Sequence, residues 1–280
     1  MFTIGCHLST EGGYEAMAHE AESIHANTFQ FFTRNPRGGH ARAIDPADLA
    51  AFQAYAPTVG IEEIMGYASY TMNLAGPDQS KRDFALAEFA EDIARMEETP
   101  HNLYALHCGN AESQAADHAC SLLADAMNAT LQPSQTTRVA LVTMSGRGTE
   151  IGSTFAQLAR VLNGITLRER VGICLDTCNL WNAGYDLVND LDGVLKEFDA
   201  TVGLDRVYAV HLTDAKYGKG SHEGRHANIG EGTIGFDALT AVTNHPALAS
   251  KPFYLEEPHA RLAEYMKNID RFRAAYEMRQ

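Results

Sequence analysis

The stretch VGICLDTCNLWNAGYD at residues 171–186 decides the fold. Its first five residues form an apolar run that predicts a buried strand ending at Asp176. The apolar residues of 190–198 then recur at the spacing of one helix face. A second apolar run begins at 207 and ends at His211. Strand, helix and strand in this order predict two parallel neighbours joined by a helical crossover.

The same alternation extends along the whole chain. Predicted strands lie at 2–7, 28–32, 63–65, 103–107, 137–142, 171–176, 207–211 and 253–256, and clear helical patterns lie at 83–96, 117–131 and 190–198. Eight strands alternating with helices in 280 residues favour the α/β class and a closed (β/α)8 TIM barrel. We expect one domain covering 1–280. Neither common glycine-rich nucleotide-binding motif is present.

Composition excludes several classes of protein. The chain is 45% hydrophobic and 21% charged, which is typical of a globular domain, and no apolar run is long enough for a membrane span. A net charge of −14 argues against non-specific coating of nucleic acid. Five cysteines and a start without the pattern of a signal peptide predict free thiols in the cytoplasm. We also expect a monomer.

Polar side chains cluster at the predicted strand ends, where TIM barrels carry their chemistry. The fourth, sixth, seventh and eighth strands end at His107, Asp176, His211 and Glu256, and His226 follows in the loop after the seventh. Imidazoles and carboxylates together suit zinc, manganese or iron(II). Each residue alone could equally be a polar residue satisfied by its neighbours.

The cysteines give weaker signals. Cys174 and Cys178 have a spacing that resembles a metal motif, but Cys174 falls inside a buried strand, so we interpret the pair as packing. Cys108 follows His107 directly and is the weaker candidate for a further ligand.

Five motifs resemble the endonuclease IV family of metal-dependent apurinic/apyrimidinic endonucleases. They are IGCHLSTEGG at 4–13, FQFFTRNPRGG at 29–39, CLDTCNLWNAGYD at 174–186, HLTDAK at 211–216 and RHANIGEGTIG at 225–235. The resemblance covers nearly the whole chain in family order. It implies a TIM barrel that cuts DNA 5′ to an abasic site with three zinc ions held by His, Asp and Glu ligands.

Carried over by residue, the resemblance implies an incomplete set of ligands. His107, Asp176, His211, His226 and Glu256 stand at ligand positions of the family, whereas Tyr67, Val142, Asn179 and Gly224 replace ligands. By the family's arrangement, His107 and His226 would each remain alone at two of the zinc positions. We therefore predict at most one well-held ion, on Asp176, His211 and Glu256, with His107 as the candidate fourth ligand. Zinc is the first choice, with manganese and iron as alternatives.

The resemblance also implies contacts with DNA. In the family, side chains from the loops after strands two and three enter the minor groove, and Arg37 and Tyr70 stand at those positions. Asn35 could contact the backbone, and Arg225, like Lys216, could meet a phosphate. Alternatively, Arg37 caps its loop, Tyr70 packs locally and Arg225 pairs with a surface acid such as Glu223.

Three functions remain open at this point. The first is a phosphodiesterase that acts on abasic or damaged DNA through one metal. The second is a single-metal enzyme of the sugar isomerase/epimerase type, in which Glu257 and His259 would move protons while Tyr67, Asn179 and Trp181 shape a small pocket. The third is a non-catalytic module that binds DNA or a partner.

Overall fold

Eight parallel strands close into a barrel in the computed structural model, which describes residues 2–258 and 261–276. The barrel strands are Ile4–His7 (β1), Thr28–Phe32 (β2), Met65–Tyr67 (β3), Leu103–His107 (β4), Arg138–Val142 (β5), Val171–Asp176 (β6), Val207–Leu212 (β7) and Phe253–Leu255 (β10). Each pairs with its neighbour along the chain, and β10 pairs with β1 to close the ring. The predicted TIM barrel is confirmed.

Helices follow the strands and surround the barrel. They are Tyr14–Ser23 (α1), Pro46–Tyr55 (α2), Gln79–Met96 (α3), Ala116–Thr130 (α4), Phe155–Asn163 (α5), Thr177–Ala183 (α6), Leu191–Thr201 (α7), Phe236–Asn244 (α8) and Leu262–Ala275 (α9). The ends of the three predicted helices differ from the observed ends by at most four residues. The largest difference is at the start of α3, which begins at Gln79 and not at 83 because Asp78 caps it. The first helix is capped from its neighbour, since Asp48 of α2 accepts hydrogen bonds from the backbone of Tyr14 and Glu15.

Apolar side chains fill the barrel in a cluster separate from the layer between strands and helices. Its members are Met65, Tyr67, Leu103, Ala105, Ala140, Val142, Cys174, Ala209 and Tyr254. Gly5 is required for closure, because a Cβ atom there would lie 1.8 Å from the carbonyl oxygen of Thr28 on the adjacent strand. The interior is therefore a packed core, and only the carboxyl ends of the strands are open to chemistry.

One predicted strand lies out of place. The sequence predicts 63–65, whereas β3 is Met65–Tyr67. Pairing explains the shift, because Met65 lies opposite Gln30 and Tyr67 lies opposite Phe32, on which its ring stacks. Tyr67 is thus a strand residue that faces the barrel mouth.

The loop after β7 is held by a small antiparallel ribbon, Asp214–Ala215 (β8) and His226–Ala227 (β9). Asp214 is fully buried and accepts hydrogen bonds from the backbone of Gly230, Gly232 and Ile234. This carboxylate fixes the path of the loop, and the ribbon returns His226 to the barrel mouth. In the part of the chain described here, no helix has the length and apolar character needed to cross a bilayer.

Candidate metal centre and nucleic-acid interface

Strand register brings three of the predicted ligands together. Asp176 is paired with His211 across β6 and β7, and Glu256 follows β10, whose Tyr254 is paired with His211. His211 Nδ1 lies 3.7 Å from Asp176 Oδ2 and 3.8 Å from Glu256 Oε1. Asp176 is held in place because its Oδ1 accepts hydrogen bonds from Asn179 N and Thr213 Oγ1.

His226 completes this group from the ribbon. Its Nε2 lies 3.6 Å from Asp176 Oδ2, and its Nδ1 lies 3.7 Å from Glu256 Oε2. The family resemblance implies that His226 stands alone at another zinc position, whereas in the structure it faces the same two carboxylates as His211. We call Asp176, His211, His226 and Glu256 the mouth cluster.

Charge pairing dominates the electrostatics of the mouth cluster. Burial alone would raise the pKa of Asp176 and of Glu256, but the neighbouring imidazoles outweigh it and hold both pKa values below their usual range. Burial likewise would lower the pKa of His226, but Asp176 and Glu256 raise it. The carboxylates likewise raise the pKa of His211 against the effect of burial. Without a metal the cluster therefore favours ionised carboxylates and protonated imidazoles, and a cation that binds there would displace the imidazole protons.

The four side chains carry the donor types that suit one divalent ion. Their facing atoms lie 3.6–3.8 Å apart in pairs, which exceeds an ordinary hydrogen bond. These pairs use both nitrogens of His226 and both oxygens of Glu256, so the side chains would have to turn for one ion to bind all four. His211 Nδ1 is buried and has no hydrogen-bond partner among the described residues. Such a nitrogen is costly unless something binds it, and a metal ion would.

His107 belongs to a different part of the mouth. Its Nε2 is hydrogen-bonded to the hydroxyl of Tyr67 at 2.8 Å, and the ring of Tyr70 stacks on it at 5.7 Å. Burial lowers the pKa of His107 to about 4, so the ring is neutral at neutral pH. Phe32 stacks on Tyr67, and His7 packs against Phe32. An aromatic wall of His7, Phe32, Tyr67, Tyr70 and His107 thus faces the mouth cluster.

The other replaced ligand positions carry no metal-binding group. Val142 is the last residue of β5 and is fully buried. It is paired with His107 on β4 and with Cys174 on β6. Asn179 donates its side-chain amide to Thr143 O. At Gly224, φ is +56°, and a Cβ atom would lie 2.8 Å from Ser145 Oγ. An aspartate at 224 would therefore require the Ser145 side chain to shift.

One cysteine lies closer to the mouth cluster than its sequence suggests. Donor atoms of Asp176, Cys178 and His226 all fall within 4.8 Å of one another. The Cys178 thiol is buried and points to Asn182 Oδ1 at 3.6 Å, and burial raises its pKa. Cys108 is also buried, with its thiol toward Val142 O. Cys178 is thus the nearer additional donor.

The candidate DNA-contacting residues lie on exposed loops around the mouth. Tyr70 is 57% exposed, and its backbone N–H donates to Pro36 O, which joins the loop after β3 to the loop after β2. Arg37 is exposed in a turn in which its N–H bonds Asn35 Oδ1. Arg225 is exposed and forms no ion pair with Glu223 or any other described residue.

Two residues at the mouth, His7 and Gln30, were not predicted from the sequence. His7 ends β1, and burial lowers its pKa to about 4. Gln30 is fully buried in β2 and contacts both His211 and Glu256. A single amide inside the apolar run FQFF was the available signal for Gln30.

Glu257 and His259 are the residues that would move protons in an enzyme of the isomerase or epimerase type. Glu257 accepts hydrogen bonds from Ile229 N and Asn268 Nδ2, so its carboxylate is engaged away from the mouth cluster. His259 lies outside the described residues. Trp181 is buried and donates to Thr233 Oγ1.

Comparison with known proteins first defines the class. A family model described as xylose isomerase-like TIM barrel matches residues 18–275. A solved structure described as a D-tagatose 3-epimerase-like protein superposes with a TM-score of 0.73 at 13% identity, covering 98% of this chain and 96% of that one. At that identity the likeness shows the fold alone.

Closer relatives narrow the assignment. A protein named probable endonuclease 4 from Alkaliphilus oremlandii is 46% identical over 276 residues, 99% of this chain and 98% of that protein. The crystal structure of endonuclease IV from Thermus thermophilus superposes with a TM-score of 0.86 at 30% identity, covering 98% of both chains. The chain belongs to the endonuclease IV family.

Proposed function

We propose that this protein is a metal-dependent phosphodiesterase that cuts DNA at abasic or otherwise damaged sites, with one ion on the mouth cluster. Its relatives named endonuclease 4 and endonuclease IV support the reaction class. The observation that carries the metal is the buried Nδ1 of His211, which has no hydrogen-bond partner among the described residues and faces Asp176 and Glu256. Zinc suits two nitrogen and two oxygen donors, and manganese or iron(II) would also be accepted.

A bound ion would supply a water of lowered pKa and would polarise a phosphoryl oxygen. Asp176, His211, His226 and Glu256 would hold that ion, and their burial would exclude competing water. The neutral His107 and the Tyr67 hydroxyl form a hydrogen-bonded pair that could bind an oxygen atom of the substrate. This proposal uses one ion where the family resemblance implies three.

The exposed loops would recognise the DNA. Tyr70 offers a free aromatic face beside the mouth, and Arg37 and Arg225 offer guanidinium groups that pair with no acid in the described part of the chain. An aromatic wedge can unstack and kink a duplex at a damaged position, while Arg and Asn35 contact phosphates. Because the whole chain is acidic, binding should depend on these loops and on the damage.

An incision assay tests this function. A labelled duplex with one stable abasic analogue is incubated with excess protein and zinc. We expect a cut 5′ to the analogue that a chelator or Glu256→Gln abolishes and that Glu223→Gln, an exposed acid of the same loop region, leaves unchanged. An absence of cutting at high excess, with zinc bound, would reject the phosphodiesterase.

The aromatic wall favours one alternative. Phe32, Tyr67 and Tyr70 narrow the mouth beside the mouth cluster, which would also suit a small sugar-like substrate of a single-metal isomerase or epimerase. Zinc-dependent turnover of ketohexoses without any DNA incision would favour this candidate. DNA binding that is unchanged by Asp176→Ala, without turnover, would favour a non-catalytic module instead.

We propose a monomer that works in the cytoplasm, where the five free cysteines would stay reduced. Size-exclusion chromatography with light scattering tests the first part, and a dimer that loses incision on dilution would contradict it.

A further inference from the structure

Gln30 occupies an unusual place for an amide. It is the third residue of β2 and is fully buried, with Phe29 and Phe31 on either side. Its side chain passes under the barrel mouth to His211 on β7 and to Glu256 after β10, neither of which neighbours its own strand. A buried amide with two specific partners indicates a role at the site they form.

The chemistry of the partners fixes the direction of both hydrogen bonds. An ionised carboxylate only accepts, so Glu256 Oε1 must receive the N–H of Gln30 Nε2. Gln30 Oε1 consequently faces His211 Nε2 at 2.8 Å and must accept its N–H. With the Nε2 proton held by Gln30, Nδ1 is the nitrogen of His211 that would bind an ion, and it faces Asp176 and Glu256.

We propose that Gln30 is the positioning residue of the metal centre, which orients His211 and Glu256 so that Nδ1 and a carboxylate oxygen face one ion. The inference rests on the proposed metal centre but concerns a residue that would not touch the ion. One amide sets both the tautomer of the ring and the rotamer of the acid, because it donates to one and accepts from the other.

No apolar side chain of similar length can replace this function. Without the amide, His211 Nε2 and Glu256 Oε1 both lose a hydrogen-bond partner. The proton of the imidazole ring is then no longer held on Nε2, so Nδ1 is no longer favoured as the nitrogen that binds the ion. Loss of a hydrogen-bonded partner behind a metal ligand typically weakens metal binding by about 10–100-fold. We expect a loss of this size.

The test measures zinc affinity by chelator competition for the whole protein, with the visible spectrum of the cobalt-loaded protein as a second readout. Gln30→Met removes both hydrogen bonds and should bind zinc about 10–100-fold more weakly, with altered cobalt bands. Gln30→Glu keeps an acceptor for His211 but loses the donor to Glu256, so its affinity should also fall.

Thr28→Val is the matched control. Thr28 is fully buried on the same face of β2, and its hydroxyl bonds Glu63 O and lies near Tyr254 Oη, away from the mouth cluster. This variant should lower the unfolding midpoint of the metal-free protein without changing zinc affinity or the cobalt spectrum. It separates a general loss of core stability from misplaced ligands.

The possible results separate the role of Gln30 from the existence of the metal centre. Zinc affinity equal to wild type in Gln30→Met overturns the positioning role and leaves the metal centre intact. If Gln30→Met does not fold, equal affinity in Gln30→Glu overturns the role. A wild type that binds no zinc, or whose affinity is unchanged by Glu256→Gln, overturns the metal centre and the inference with it.

Discussion

Arg34→Met should destabilise the protein and release the loop that carries Asn35 and Arg37. Arg34 is 5% exposed. Its guanidinium lies 2.8 Å from Asp92 and 3.0 Å from Glu88, both on α3. It also donates to Gly39 O at 3.0 Å, which fastens the far end of the loop. Methionine fills similar space but provides neither the charge nor the donors.

The expected magnitude follows from what the substitution leaves behind. Asp92 is fully buried and Glu88 nearly so, and removal of one partner of a buried ion pair costs about 3–5 kcal/mol. Tyr104 still donates to Asp92 at 2.7 Å, which offsets part of the loss. We therefore expect a decrease of about 3 kcal/mol in the free energy of unfolding.

Urea unfolding at pH 7 measures this change, with Arg160→Met as the control. Arg160 pairs with Asp117 at 2.7 Å, but both side chains are at least half exposed, so its loss should cost less than about 1 kcal/mol. Adding Asp92→Asn to Arg34→Met should recover part of the stability, because it removes a buried charge. Equal costs for Arg34→Met and Arg160→Met would refute this reasoning.

Three further predictions concern the mouth. Tyr70→Ala should weaken binding to a duplex with an abasic analogue by about 1–3 kcal/mol, as measured by fluorescence anisotropy. The control is Phe84→Ala, which removes another exposed ring and should leave binding unchanged. An equal loss of binding in both variants would contradict the role of Tyr70 as a wedge. The folded pKa of His107 is lowered from 6.5 to about 4, so its contribution to stability is complete above pH 6.5 and is lost as the pH falls through 4. Wild type should thus lose up to about 3 kcal/mol more than His107→Asn over this range, and parallel stability curves would contradict this. Zinc at about 100 times its Kd should stabilise wild type by about 2.7 kcal/mol but not His211→Ala; equal shifts in Tm would show that zinc binds elsewhere.

Strand positions were the most predictable part of the fold. Predictions for 28–32, 103–107 and 171–176 agree with the structure at every residue. In the last two, the apolar run ends in a polar residue, His107 or Asp176, which marks the end of the strand. The third strand was misplaced by two residues. Its position depends on pairing with Gln30 and Phe32 and on stacking of Tyr67, and neither is visible in a local pattern.

The site was only partly predictable. Asp176, His211 and Glu256 lie near one another because neighbouring parallel strands end at the same rim, and this much follows from the strand ends in the sequence. The position of His226 depends on a two-residue ribbon and on the buried carboxylate of Asp214, so sequence spacing could not place it. Gln30 reaches its partners across the barrel, from strands that do not neighbour its own.

Metal content per chain tests the account most directly. Protein purified without added zinc is exchanged into metal-free buffer and measured by inductively coupled plasma mass spectrometry, beside Asp176→Ala and His107→Asn. The mouth cluster predicts about one equivalent in wild type, a strong loss in Asp176→Ala, and retention in His107→Asn. Three equivalents, or none after reconstitution with zinc, manganese or iron(II), would contradict a single ion between Asp176, His211, His226 and Glu256.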